Sequence, residues 1–127
     1  MGTLDQAQLT TMLRVQDPAR ARLFYEEQLG LPYRGKSGDG KHLFDVGGAV
    51  LALSQSEVPP DENTVLSFKV PDVPAAVAGL QARGVAFEDY DLPGLKTVDH
   101  VCVLGSERAA WFVDSERNIL CVHDTLA

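Results

Sequence analysis

The side chains able to do chemistry in this chain are few and scattered. Three histidines (His42, His100 and His123) and two cysteines (Cys102 and Cys121) stand among 18 acidic and 11 basic residues. No two histidines have the spacing of a helical metal pair, and the cysteine spacing fits no zinc motif. Both cysteines sit in apolar, strand-like runs, which in a reducing compartment reads as two buried thiols rather than a disulfide. Cys121 and His123 are two apart in such a run, so they share one strand face. A thiolate stabilised by that imidazole would be a nucleophile, whereas an unassisted thiol there would fill core space. His42 and His100 read as ordinary strand-surface residues. Arg14 and Lys69 lie near strand ends, where they suit either an anionic ligand group or solvent. Asp89, Asp91 and Asp99 flank Leu92–Thr97, a loop over a pocket or a surface turn.

The elements that would position these residues are repeated. Leu9–Val15 (LTTMLRV) and Thr64–Val70 (TVLSFKV) are both β-prone, and each ends in Val-x-Asp, with Asp17 and Asp72 55 residues apart. Each aspartate suits a helix N-cap, where a carboxylate accepts free backbone N–H groups at the positive end of the helix dipole. Pro18 fits the first helical position, where its missing N–H costs nothing. Ala21, Phe24, Tyr25 and Leu29 form one apolar helix face, as do Val73, Ala76, Val77 and Leu80. Gly30 and Gly84 stop the helices. Strands are expected near Tyr33–Lys36, Lys41–Val46 and Ala49–Ser54 in the first half. In the second half they are expected near Val85–Tyr90, Val98–Leu104, Ala109–Val113 and Asn118–His123, the first two being separate or one interrupted element. The simplest architecture is α+β, with two βαβββ modules packed sheet to sheet in a single domain. Module one covers about 8–57, a linker about 58–63 and module two about 64–124.

The 127 residues, 45% hydrophobic and 23% charged, are enough for one globular core. A net charge of −7 repels phosphate backbones and anionic lipid, so nucleic acid and membranes are poor partners. Met1–Gln8 has no signal-peptide pattern and no apolar run approaches a membrane span, which points to the cytoplasm.

Three stretches carry a family resemblance. Arg14–Leu31 (RVQDPARARLFYEEQLGL), Phe68–Val73 (FKVPDV) and Ala110–Leu120 (AWFVDSERNIL) fall in the order, and nearly fill the span, of motifs shared by one superfamily. The chain resembles the vicinal oxygen chelate superfamily of glyoxalase I, extradiol dioxygenases and bleomycin-resistance proteins. It departs from the third motif at Ser115 and Arg117, where the family has Pro and Gly, and Arg117 suits a left-handed turn less well than glycine. The resemblance implies a curved, mostly antiparallel sheet trough with helices on its outer face. It also implies four positions for metal ligands, which fall here at Thr10, Ala52, Val65 and Cys121. Ala and Val offer no lone pair, so the usual metal site is not expected and no cofactor is assigned.

Strand alternation then places Met12 and Arg14 with Thr10, Val50 and Ser54 with Ala52, Ser67 and Lys69 with Val65, and Ile119 and His123 with Cys121. The opposite faces are uniformly apolar, as a helix-covered core requires. Of the neighbours Trp111 and Phe112, one enters the trough, and alternation does not say which. The expected pocket is thus Thr10, Met12, Arg14, Val50, Ala52, Ser54, Val65, Ser67, Lys69, Trp111, Cys121 and His123, suited to an organic ligand with an apolar body. Two functions fit. One is metal-free capture of a small organic molecule by a homodimer, as the resemblance to bleomycin-resistance proteins implies. The other is a lyase or dioxygenase-like enzyme, with a displaced metal on His42, His123 or Glu57, or with acid–base chemistry by Cys121 and His123.

Overall fold

The computed structural model describes residues 2–125; Met1, Leu126 and Ala127 lie outside it. The described chain divides into two compact units at Pro59–Pro60. The first runs β1 (Thr10–Val15), α1 (Pro18–Leu23) with a π-helical turn (Phe24–Gln28), β2 (Tyr33–Lys36), β3 (His42–Val46) and β4 (Ala49–Gln55). The second runs β5 (Thr64–Lys69), α2 (Val73–Ala82), β6 (Asp91–Leu92), β7 (Leu95–Val98), β8 (Val101–Leu104), β9 (Glu107–Val113) and β10 (Ile119–Thr125). The class is α+β, as read from the sequence.

Both helices start at the expected aspartates. Asp17 Oδ1 accepts from the Arg20 N–H and Asp72 Oδ1 from the Ala75 N–H, each at 3.1 Å. Gly30 and Gly84 take positive φ (70° and 91°) and end the helical segments at no Cβ cost. In unit one the sheet order is β1-β4-β3-β2, with β1 parallel to β4. Its helix side buries Leu13, Val15, Phe44, Leu51 and Leu53 with Ala21, Phe24 and Tyr25. The π turn widens the helix, and both Phe24 and Tyr25 are buried there, the Tyr25 ring tilted against Phe44 with centroids 6.2 Å apart.

In unit two the order is β5-β10-β9-β8-β7-β6. Leu120, Val122, Ala110 and Phe112 are buried with Val73 and Val77 of α2. Two sequence expectations change here. Val85–Tyr90 is not a strand: Val85 and Phe87 are buried as core plugs, and only Phe87 makes a bridge, to Phe112. Val98–Leu104 is not continuous either. It turns at Asp99 and His100 (φ 52° and 72°) into the β7–β8 hairpin, so His100 is a turn residue. The Leu92–Thr97 segment is itself a hairpin, β6–β7, turning at Pro93–Gly94.

Arg117 does adopt the left-handed conformation (φ 67°) that the sequence makes expensive. Buried Asp114 holds it there. Its Oδ1 accepts from the Glu116 and Asn118 N–H groups at 2.8 Å, and its Oδ2 from Asn118 Nδ2 at 3.0 Å.

Candidate functional site

In unit one, the parallel β1–β4 ladder sets Thr10 opposite Val50, Met12 opposite Ala52 and Arg14 opposite Ser54. These are the six unit-one residues expected on one face, and they share it. The two-residue turn at Gly47–Gly48 fixes the next register, so Leu43 stands opposite Ala52 and Asp45 opposite Val50. A hollow of about 310 Å³ opens on this face, floored by Val50, Ala52 and Leu43 and walled by Thr10 and Met12. Arg14 and Ser54 lie beyond it. Its polar rim comes from Arg34, Asp39 and Lys41, which sequence reading did not single out. Arg34 pairs with Asp45 at 3.0 Å. Asp39 is held at a pKa of about 2 by hydrogen bonds from Lys41 and Ser37. The rim's charges are therefore largely neutralised in pairs.

In unit two, Ser67 stands opposite Cys121, which stands opposite Trp111; Lys69, His123 and Ala109 form the next row. The choice between neighbours is thus settled: Trp111 is on the Cys121 face, while Phe112 is 1% exposed on the other side, 5.3 Å from Phe87. Tyr90 meets Trp111 edge to face at 5.6 Å, an aromatic corner that sequence reading missed because Val85–Tyr90, expected as a strand, is irregular and folds back onto β9. Ser67 Oγ and His123 Nδ1 are 2.6 Å apart. Burial pushes the Cys121 thiol pKa up, against the opposing pull of a Ser67 hydrogen bond. Cys121 is therefore a neutral thiol, and His123 is engaged with Ser67 instead. Val65 is less well placed than expected. The ladder slips between Ile119 and Leu120, so Val65 has no opposite residue and is 38% exposed.

The four positions marked for metal ligands hold a hydroxyl, two aliphatic side chains and a neutral thiol, a donor set that does not fit a divalent ion. The side chains considered for a displaced site are dispersed. His42 shares a face with buried Phe44, on the helix side, and its Nδ1 is 2.8 Å from the Tyr33 hydroxyl. Glu57 accepts from Gln55 at 2.8 Å and Gln16 at 3.3 Å. Among the described residues, no three His, Cys, Asp or Glu side chains gather closely enough to hold an ion.

Residues 7–90 match the profile of the Glyoxalase/Bleomycin resistance protein/Dioxygenase superfamily, and the chain belongs to that family. No curated protein sequence matches it. Solved structures share the fold at low identity. A glyoxalase family protein from Bacillus anthracis is 16% identical, with a TM-score of 0.74 over 98% of this chain and 99% of its own. TnmS3, an antibiotic binding protein from Streptomyces sp. CB03234, is 21% identical, with a TM-score of 0.70 over 98% and 99%. The fosfomycin resistance protein FosX from Listeria monocytogenes, complexed with Mn(II), is 17% identical, with a TM-score of 0.65 over 94% and 90%. Among the described residues no helix is long and apolar enough to cross a membrane.

Proposed function

We propose that this protein is a metal-free small-molecule binder that captures an organic ligand stoichiometrically, without making or breaking a bond. One observation carries the reading. The position that the resemblance gives to a metal ligand in β10 is a buried neutral thiol, Cys121, with Trp111 opposite it and Tyr90 against that indole. Such a surface offers dispersion and stacking rather than Lewis acidity. The unit-one face supports the same reading with an aliphatic floor and a rim whose charges are paired. Each unit offers its own candidate ligand face: Thr10, Met12, Val50 and Ala52 with Leu43 in unit one, and Ser67, Lys69, Trp111, Cys121 and His123 with Tyr90 in unit two. The likeness to TnmS3, described as an antibiotic binding protein, is in keeping with a drug-sequestering role. In this reading the two modules form a single domain, and the protein works as a cytoplasmic homodimer.

Two measurements test it. Purified protein titrated with Mn²⁺, Fe²⁺, Ni²⁺ and Zn²⁺ should show no stoichiometric uptake by elemental analysis; one tightly held ion per chain overturns the reading. A thermal-shift screen of aromatic and cationic antibiotics should find a ligand that raises Tm. Trp111→Ala should clearly reduce that shift, and an undiminished shift removes Trp111 from the site.

A further inference from the structure

Tyr90, which backs the Trp111 indole, is carried by no helix or strand. Its place is set by the way residues 85–90 are pinned. Strand β8 begins at Val101, and its pairing with β9 starts at Cys102, opposite Ala109. Beyond that row, toward Val113, β9 takes its neighbour from the irregular segment instead. Phe87 bridges Phe112, and the Glu88 N–H donates to the Trp111 carbonyl at 2.8 Å. Two residues on, the segment has left β9 for β7. The Tyr90 carbonyl accepts from the Thr97 N–H at 2.9 Å, and the Tyr90 N–H donates to Thr97 Oγ1 at 2.9 Å. Asp89 alone spans the crossing between the two strands, beside the β7–β8 turn.

That turn is a two-residue hairpin loop, Asp99–His100, between the paired Val98 and Val101. Both loop residues take positive φ, 52° and 72°, the type I′ pattern that favours Asn or Asp first and glycine second. Asp99 fits the first position. His100 stands where glycine would be unstrained. What the imidazole gains there is a grip on the crossing segment. Its Nδ1 lies 3.0 Å from Asp89 Oδ1, the same oxygen that accepts from Thr97 Oγ1 at 3.1 Å. Its ring meets Phe87 with centroids 6.2 Å apart. His100 thus holds the segment on both sides of the Glu88–Trp111 bond, and Asp89 Oδ1 joins the turn to β7. The imidazole itself borders the other side of the sheet, with Val101 and Val103, which alternate with Cys102 of the Ala109 row.

We propose that His100 is a positioning residue for the Trp111 face. Through Asp89 and Phe87 it fixes the crossing segment, and so holds Tyr90 against the indole without itself reaching the ligand. The strained turn is kept because it orders one wall of the site. An aromatic ligand then meets a corner already built, and less ordering free energy is lost on binding. That use rests on the function proposed above, whereas the positioning is read in the free protein, so the two fail separately.

Trp111 is the sole tryptophan, so its fluorescence and its indole NMR signals report on this corner alone. In the full-length free protein, nuclear Overhauser contacts between the Tyr90 ring and the Trp111 indole should be present in the parent and in His100→Asn, and lost in His100→Gly. Asn tolerates the left-handed turn and keeps an N–H donor near the place of Nδ1, whereas Gly relieves the turn and removes the contact. Acrylamide quenching of Trp111 should rise in His100→Gly to the level of Tyr90→Ala, and stay at the parent level in His100→Asn. Adding His100→Gly to Tyr90→Ala should raise it no further, because the effect passes through Tyr90. The Tm of His100→Gly should not fall below that of the parent, since relief of the turn offsets the lost hydrogen bond. A histidine that only braces the hairpin gives the opposite pattern, a lower Tm with the Tyr90–Trp111 contacts intact, and that result overturns the proposal. So does an equal loss of contacts in His100→Asn, or an additive effect of His100→Gly on Tyr90→Ala.

Discussion

The two modules pair their first and last strands in the same way, yet the rows they expose are chemically unlike. On module one the row is Thr10–Val50, Met12–Ala52 and Arg14–Ser54; on module two it is Ser67–Cys121–Trp111 and Lys69–His123. One mixes Val50, Ala52 and Met12 with two hydroxyls and a guanidinium. The other is aromatic, with a thiol and an imidazole. Their helix starts differ too. In module one the first helical residue is Pro18, which has no N–H to satisfy. In module two it is Val73, whose buried N–H donates to Asp124 Oδ2 at 2.7 Å, and that aspartate also binds Arg108. Gln55, at the corresponding end of β4, donates instead to the Gln16 carbonyl at 3.3 Å. The repeated backbone therefore repeats its N-cap aspartates but not the polar group that meets the first helical residue. Each module settles its own helix terminus, and module two does so with a buried charge.

That contrast predicts where the molecule is fragile. Asp124→Ala leaves the Val73 N–H without its acceptor and Arg108 with only Asp72, 4.0 Å away, and should lower Tm by roughly 10 °C, whereas Gln55→Ala should barely change it. The Arg108 hydrogen bonds hold the Asp124 carboxyl below its ordinary range. Its stabilisation is then complete above the unfolded-state value and is lost as pH falls through the native one. Denaturant midpoints measured from pH 7 down to pH 2 should show a shallower acid limb in Asp124→Asn than in the parent.

Ligand recognition should show the same asymmetry at smaller scale. Trp111→Ala is expected to cost an aromatic ligand about tenfold or more in affinity, and Met12→Ala appreciably less. Comparable losses by calorimetry would dissolve the distinction between the two faces. Thiol labelling sharpens it further. Cys121 is buried and its thiol pKa is raised, so an aromatic disulfide reagent should modify it far more slowly in the native protein than in urea.

Two smaller effects remain. Arg117→Gly should stabilise the protein by about 1 kcal/mol by relieving the left-handed strain, read from the denaturant midpoint. Burial, with nearby Arg22 and Lys36, lowers the His42 pKa. Protonation thus favours the unfolded chain, and stability should fall slightly between pH 7 and pH 5. His42→Gln should remove that slope.

Much of this was legible in the sequence because it rests on local rules. The Val-x-Asp pairs gave both helix starts, Gly30 and Gly84 both ends, and period-two alternation the face shared by Thr10, Met12, Val50 and Ala52. Trp111 against Phe112 was not legible, because both are large and apolar and only the pairing with Cys121 separates them. Tyr90 and the Asp89–His100 contact were missed because they depend on where an irregular segment folds back. Phe87 looked like part of a strand because a core-filling aromatic and a strand aromatic have the same composition. Leu43 could have been found, since the Gly47–Gly48 turn fixes its register against Ala52.

The parallel pairing of first strand with last has a consequence for the order of events when the chain is made. Strand β1 has no partner until β4 is available, so the first unit can close once residue 55 has been reached. Strand β5 must wait for β10, the final strand of its unit, some fifty residues later. Until then Leu66 and Phe68 belong to an unpaired, apolar strand. The second unit is therefore the slower to form and the more exposed to misassociation during synthesis, after the first has already closed.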